Sequence, residues 1–272
     1  MHQPFLASRL RHLPLLVLIA SAACAPQRVS LAETEDRDGL RYQTGAKAPL
    51  TGLLQVPPDS ATGIKVTMPY RHGVRDGNAE GFHANGKRAF SETWKAGRRE
   101  GLREEWDSLG HLARSQTFVN GELEGVMKDF NAAGGLLSER PMHAGKEEGL
   151  TTTWYDDGKK RSEGQFSAGR LQGTLVFWYP DGKKKYEGVF ADGKPAGLVT
   201  EYYPSGEPKS RTTWKDGQVE GPYTRWYDNG QMEADGTTEQ GKILGLRMWT
   251  REGKPVTHPK VVPGASIGAH PT

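Results

Sequence analysis

Glycine recurs in this chain on a fixed 24-residue period, and no other feature constrains the fold as much. One series stands at positions 73, 97, 121, 145, 169, 193, 217 and 241, and a second lies four residues further on, from Gly77 to Gly245. A third runs 86, 110, 134, 158, 182, 206 and 230, then 253, one residue early. Self-similarity at such a period is the mark of a repeat architecture, in which each unit completes its neighbour's core. The composition fits: 35 glycines without a Gly-x-y period exclude collagen, and 35 % hydrophobic content is lean for an ordinary globular core.

Aromatic residues keep the same register. Five residues after each second-series glycine come Phe82, Trp106, Phe130, Trp154, Trp178, Tyr202 and Trp226, and three before the first series come Tyr70, Trp94, Phe118, Met142, Phe166, Phe190 and Trp214. The unit therefore reads strand, tight turn, strand, tight turn. Asn85-Gly86, Asp157-Gly158, Asp181-Gly182 and Asn229-Gly230 have the composition of two-residue hairpin turns, and Asp192-Gly193 and Asp216-Gly217 use the same chemistry. The expected fold is all-β: about eight tandem 24-residue β-hairpins forming an elongated, twisted antiparallel sheet. At about 4.8 Å per strand, eight units extend roughly 75 Å.

Alternation along a strand assigns faces. Thr174, Val176 and Trp178 share one face, read as the stacked core, and Leu175, Phe177 and Tyr179 share the other. That second face changes along the array, from Arg103, Glu105 and Asp107 early to aromatic residues later. Tyr155, Tyr179, Tyr203 and Tyr227, joined by Phe177 and Tyr223, form the candidate binding surface, an aromatic ladder suited to a sugar polymer, a lipid headgroup or a partner's apolar strip, or else rings that only cover the sheet.

The ends differ from the array. Residues 1–23 combine Arg9 and Arg11, an apolar run from Leu13 to Ala23 and no acidic residue, which is a secretory signal pattern too short for a membrane span. Ser21-Ala22-Ala23-Cys24 resembles a bacterial lipobox, and Cys24 is the single cysteine. The resemblance implies a lipid on Cys24, and Ala25 after it implies the outer membrane, facing the periplasm or the exterior. The same residues also suit ordinary cleavage to a soluble periplasmic protein. Residues 24–50 read as a lipidated N-terminus and linker, 51–254 as the repeat domain with Pro57-Pro58 marking a worn first unit, and 255–272, with four prolines, as a disordered tail.

Units such as Gly173 to Gly197, with Trp178-Tyr179, Asp181-Gly182, Tyr186, Gly188, Phe190 and Asp192-Gly193, resemble the MORN-repeat variant of bacterial proteins labelled as YwqK-family antitoxins. The resemblance spans about residues 70–253. It is densest over 145–230, where Trp154-Tyr155, Trp178-Tyr179, Tyr202-Tyr203 and Trp226-Tyr227 carry the full pattern, whereas Trp106 is followed by Asp107 and Phe130 by Asn131. It implies a hairpin scaffold with an interaction role.

Catalytic and cofactor chemistry finds no support in the sequence. No glycine cluster leads into Gly-Lys-Ser or Gly-Lys-Thr, so there is no phosphate loop. His72, His83, His111, His143, His258 and His270 lack zinc-ligand spacing, and Glu163 and Glu187, 24 apart, read as stacked exposed charges rather than a hydrolytic pair. The net charge of +3 falls close to neutral once Arg9 and Arg11 leave with a signal, so no basic field recruits nucleic acid. The expectation is a non-enzymatic scaffold without cofactor or metal, attached to the outer membrane and holding a protein or glycan partner. Antitoxin-like neutralisation and a glycan-binding or glycan-processing envelope role are the alternatives.

Overall fold

The computed structural model describes residues 26–58, 60–239 and 241–257. The signal expected over 1–23, Cys24 and most of the tail expected over 255–272 lie outside them. Twenty-two strands join in one sheet, and a two-stranded hairpin stands beside it. From Gly52 onward the described strands form an antiparallel meander in sequence order, with the two-residue strands at Val74–Arg75, Arg98–Arg99, Glu122–Leu123 and Lys146–Glu147 continuing the hairpin turns.

Of the two turn types expected to be two-residue hairpins, only one is. The first-series turns are the two-residue hairpins: Lys95 pairs with Arg98 and Ala191 with Lys194, and both enclosed residues have positive φ, 48° and 83° at Ala96-Gly97 and 51° and 78° at Asp192-Gly193. Positive φ at both central positions is the primed turn that matches the twist of paired strands. At the third series only the glycine is left-handed. The Gly182 N–H donates to the Tyr179 carbonyl at 2.9 Å, the Tyr179 N–H donates to the Lys183 carbonyl at 2.8 Å, and Gly182 has φ 89°. This is a longer loop ending in a glycine bulge. Asp181 is therefore not a backbone adaptor but a local acceptor, its carboxylate taking the Lys183 N–H, as Asp157 takes that of Lys159.

The core also lies on the face opposite to that read from alternation. Tyr186, Phe190 and Val199 form a buried cluster against Leu171, Leu175, Phe177 and Trp214. Phe177 sits directly across from Tyr186 and Leu175 across from Gly188, so the Leu175 and Phe177 face is the core face. Trp178 lies on the open face and is half-buried. The buried aromatic column is the one three residues before the first-series glycines, with Tyr70, Trp94, Phe118 and Phe190 all nearly inaccessible. A glycine away from the turns makes room for it: a Cβ on Gly188 would meet the Tyr186 hydroxyl at 2.8 Å and Val199 at 3.1 Å.

The start of the array is capped rather than tethered. Strand β1 (Arg28–Ser30) pairs in parallel with β4 (Gly52–Val56), and β2 (Thr34–Arg37) and β3 (Leu40–Gln43) form the separate hairpin. Val29, Leu50, Leu54 and Tyr70 close a second core beneath them, with Tyr70 on β5 (Lys65–Arg71). Residues 28–50, read from their polarity as linker, thus fold onto the first hairpin. Val29 and Leu50 supply the anchors that the polar average conceals. At the other end, Trp249 bridges to Pro255 and the Val256 N–H reaches the Met248 carbonyl, so the first residues beyond 254 are paired too.

Replacing Gly188 with Ala is expected to destabilise the array by about 1–3 kcal/mol through overpacking. Thermal unfolding followed by circular dichroism checks this, and Gly182 is expected to be as intolerant, because a Cβ there meets left-handed backbone strain rather than a neighbour.

Candidate functional site

Each repeat is fastened to the next along both turn edges. On the first-series edge the Gly97 N–H donates to the Arg75 carbonyl, Gly121 to Arg99, Gly145 to Leu123, Gly169 to Glu147 and Gly193 to Leu171, at 2.8–2.9 Å. Beside that ladder, the residue before each second-series glycine takes the neighbouring N–H of the next turn: Asp76 from Ala96, Glu100 from Asn120, Glu124 from Ala144, Glu148 from Ala168 and Gln172 from Asp192. These clasp carboxylates escaped the sequence reading, although their fixed place before Gly77, Gly101, Gly125 and Gly149 was a usable signal. Glu148 lies below the usual carboxylate range, first because of the Ala168 N–H and then because of the Ser167 hydroxyl.

The predicted tyrosines form the corresponding clasp on the other edge. Tyr155 Oη donates to the Trp178 carbonyl at 2.6 Å, Tyr179 to Tyr202 at 2.8 Å, Tyr203 to Trp226 at 2.8 Å and Tyr227 to Trp249 at 3.1 Å. All four rings are half-buried at the rim of the sheet. Phe177 and Tyr223 are separate from this column. Phe177 packs edge-on against Tyr186, with centroids 5.9 Å apart, and Tyr223 is buried. The change in residue type along the column has a structural meaning. Asp107 and Asn131, which stand in the tyrosine position, turn back and accept N–H groups of their own loops, Leu109 and His111 for the first, Ala133 and Gly135 for the second.

On the core face of the early units, charge stands where the later units have Gly188, Leu175 and Phe177. Glu92 is only 3 % exposed and accepts from the Trp94 indole and Arg99 at 2.9 Å, with Arg103 as a third donor. Arg103 also holds Glu105 at 2.7 Å, and Asp129 joins Arg114, Arg140 and Ser138. The guanidiniums lie over the rings: Arg75 and Arg99 on Trp94 at 4.6 and 5.0 Å, Arg103 on Phe90 at 5.1 Å. Burial pushes the Glu92 carboxyl up, but the Trp94 N–H and the two guanidiniums outweigh it and hold the group below its ordinary value. Asp129 follows the same balance, with Ser138, Arg114 and Arg140 overcoming burial.

Among the described residues no group of three or more His, Cys, Asp or Glu side chains is placed to hold a metal ion. No helix among them is long and apolar enough to cross a membrane. The repeat units described as MORN repeat variant match residues 147–168, 171–192, 196–216 and 219–240. Residues 147–240 are MORN-variant repeats. No curated protein matches the chain. The matched MORN units are those with the tyrosine clasp, and the units before residue 147 share their turns and register. The matched units form a repeat domain of the protein-interaction type.

A carboxylate whose folded value is depressed adds stability above its unfolded value and loses it as pH falls through the folded value. Glu92 and Asp129 are therefore expected to weaken the early units as pH falls below about 4. Hydrogen exchange at pH 3 should show protection lost from residues 90–140 before residues 186–214. Glu92→Gln, at neutral pH, should cost on the order of 2–3 kcal/mol, less than a fully enclosed pair because Arg99 is 40 % exposed.

Proposed function

We propose that the chain is an envelope scaffold, held at the outer membrane by a lipid on Cys24, that docks a protein partner along the open face of its sheet. The observation that carries this reading is a row of exposed aliphatic side chains at one repeat position. Leu102, Val126, Leu150 and Leu198 follow the second-series glycines and are 51, 45, 48 and 53 % exposed. A hairpin array gains no folding energy from apolar groups left in water, whereas an exposed row, broken only at Thr174, suits an interface. The clasps on both turn edges support the same reading, because a surface fixed in advance spares a partner the cost of ordering it. Tyr155, Tyr179, Tyr203 and Tyr227 belong to this scaffold as the staples that hold its later units in line, with their ring edges at the rim of the surface.

The fold also sets the distance from the proposed anchor. The Gln27 carbonyl already accepts the Leu53 N–H, three residues after Cys24. Fully extended, three residues reach about 10 Å. A lipid on Cys24 therefore brings the capped end of the array against the bilayer surface.

Two measurements test the proposal. Affinity purification from membranes should recover a partner with the wild type and lose it with Leu102, Val126, Leu150 and Leu198 changed to Ser; an unchanged partner set sinks the aliphatic-row reading. Fatty-acid labelling should mark the wild type and not Cys24→Ala, and absence of cysteine-dependent label makes the protein soluble periplasmic. Tyr→Phe at positions 155, 179, 203 and 227 should lower the melting temperature, at about 1 kcal/mol for each lost hydroxyl bond, while leaving partner recovery intact.

A further inference from the structure

The open face carries a second row that neither the clasps nor the core explains. Trp106, Trp154, Trp178 and Trp226 occupy one repeat position, with Phe82, Phe130 and Tyr202 completing the column, and all are half-buried. The tryptophans of the core face satisfy their indoles, Trp94 with Glu92 at 2.9 Å and Trp214 with the Thr212 hydroxyl at 2.8 Å. Among the described residues, none of the four open-face indole N–H groups has a hydrogen-bond partner. Thr152 and Thr200, two residues before Trp154 and Tyr202 on the same face, are nevertheless buried. The rings therefore spread over the sheet, and the Arg88 guanidinium lies over that of Trp106 at 5.4 Å.

The neighbouring positions are polar and charged. Across the strand from Thr152, Val176 and Thr200 stand Glu163, Glu187 and Arg211. Lys160 and Lys184 pair with Glu163 and Glu187, while the Lys160 ammonium lies 5.9 Å above the Trp178 ring and the Arg211 guanidinium 5.6 Å above that of Trp226. Each unit thus offers an aromatic plate, the four tryptophan units add an indole N–H donor, and Glu163, Glu187 and Arg211 add charged side chains able to bond hydroxyl groups. Successive plates are two strands apart, about 9.6 Å.

We infer that this row binds a linear β-1,4-linked polysaccharide lying across the strands. An extended β-1,4 chain turns over at each sugar, so every second sugar presents the same face, and its disaccharide repeat is close to the spacing of the plates. The apolar C–H face of a pyranose stacks on an aromatic ring, while its equatorial hydroxyl groups point sideways toward donors and carboxylates. Rotation about the glycosidic bonds lets the chain follow the twist of the sheet. A protein partner is served by the aliphatic row nearer the first-series turns, which contains no indole. The inference adds a ligand to the scaffold and does not depend on the lipid anchor or on the protein partner.

The test uses the full chain from residue 24 with cellohexaose, chitohexaose and purified peptidoglycan sacculi, read by tryptophan fluorescence and sedimentation. One of these ligands is expected to bind, and the hexasaccharide at least about tenfold more tightly than its disaccharide, because additional plates engage the same chain. Trp154→Leu, Trp178→Leu and Trp226→Leu together keep an apolar cover on the sheet, and should abolish binding with the circular dichroism spectrum unchanged. Trp→Phe at the same sites keeps the plates and removes the N–H donors, so partial retention is expected there. Absence of binding to all three ligands, binding that ignores ligand length, or binding that survives the leucine variant overturns the inference. The serine variant of the aliphatic row should bind the sugar like the wild type, which separates failure of this site from failure of the protein-docking site.

Discussion

The bond on which the rest depends runs from a turn glycine to the backbone of the preceding repeat. Gly97 to Arg75, Gly121 to Arg99 and their successors join peptide groups 22 residues apart, and thereby set how one hairpin meets the next. The donor is available only because the two-residue turn has both residues at positive φ, a conformation in which glycine is unstrained and Asp, Asn or Ala is tolerated at modest cost. Once the turns stack, the strand register follows, and with it the placement of every aromatic column. The side-chain clasps of Asp76, Glu100, Glu124 and Glu148 reinforce a geometry that the backbone has already chosen.

Period, strand content and the location of the turns were legible in the sequence because they depend on glycine, whose backbone requirement is local. Face assignment was not. Alternation shows which residues share a face but not which face is buried, and both faces of this sheet carry aromatic columns. The deciding facts are long-range: Phe177 opposite Tyr186, and Gly188 leaving room for the Tyr186 ring. Turn type was missed for a related reason. Asn-Gly and Asp-Gly suit a primed turn, yet here they close a bulged loop, because the carboxylate or amide accepts an N–H two residues ahead.

The candidate tyrosines illustrate how a visible pattern acquires a different content. Their column was evident, and so was its replacement by Asp107 and Asn131 in earlier units. What sequence spacing lacked was the target of the hydroxyl, a carbonyl in the following repeat. The open-face tryptophans were likewise visible but were read as core. Their free indoles set them apart from Trp94, whose indole N–H is held by Glu92 on the core face.

The core changes character from Glu92 and Arg103 near the start to Tyr186 and Phe190 further on, while the turn bonds stay the same throughout. Joint and filling are thus separate properties. A block of 24 residues can be inserted or removed without creating a junction of a new kind, since each end still meets the glycine donor and carbonyl acceptor it was shaped for. The reach of such a molecule is then a count, adjustable in steps of two strands, and the side chains riding on each step remain free to diverge.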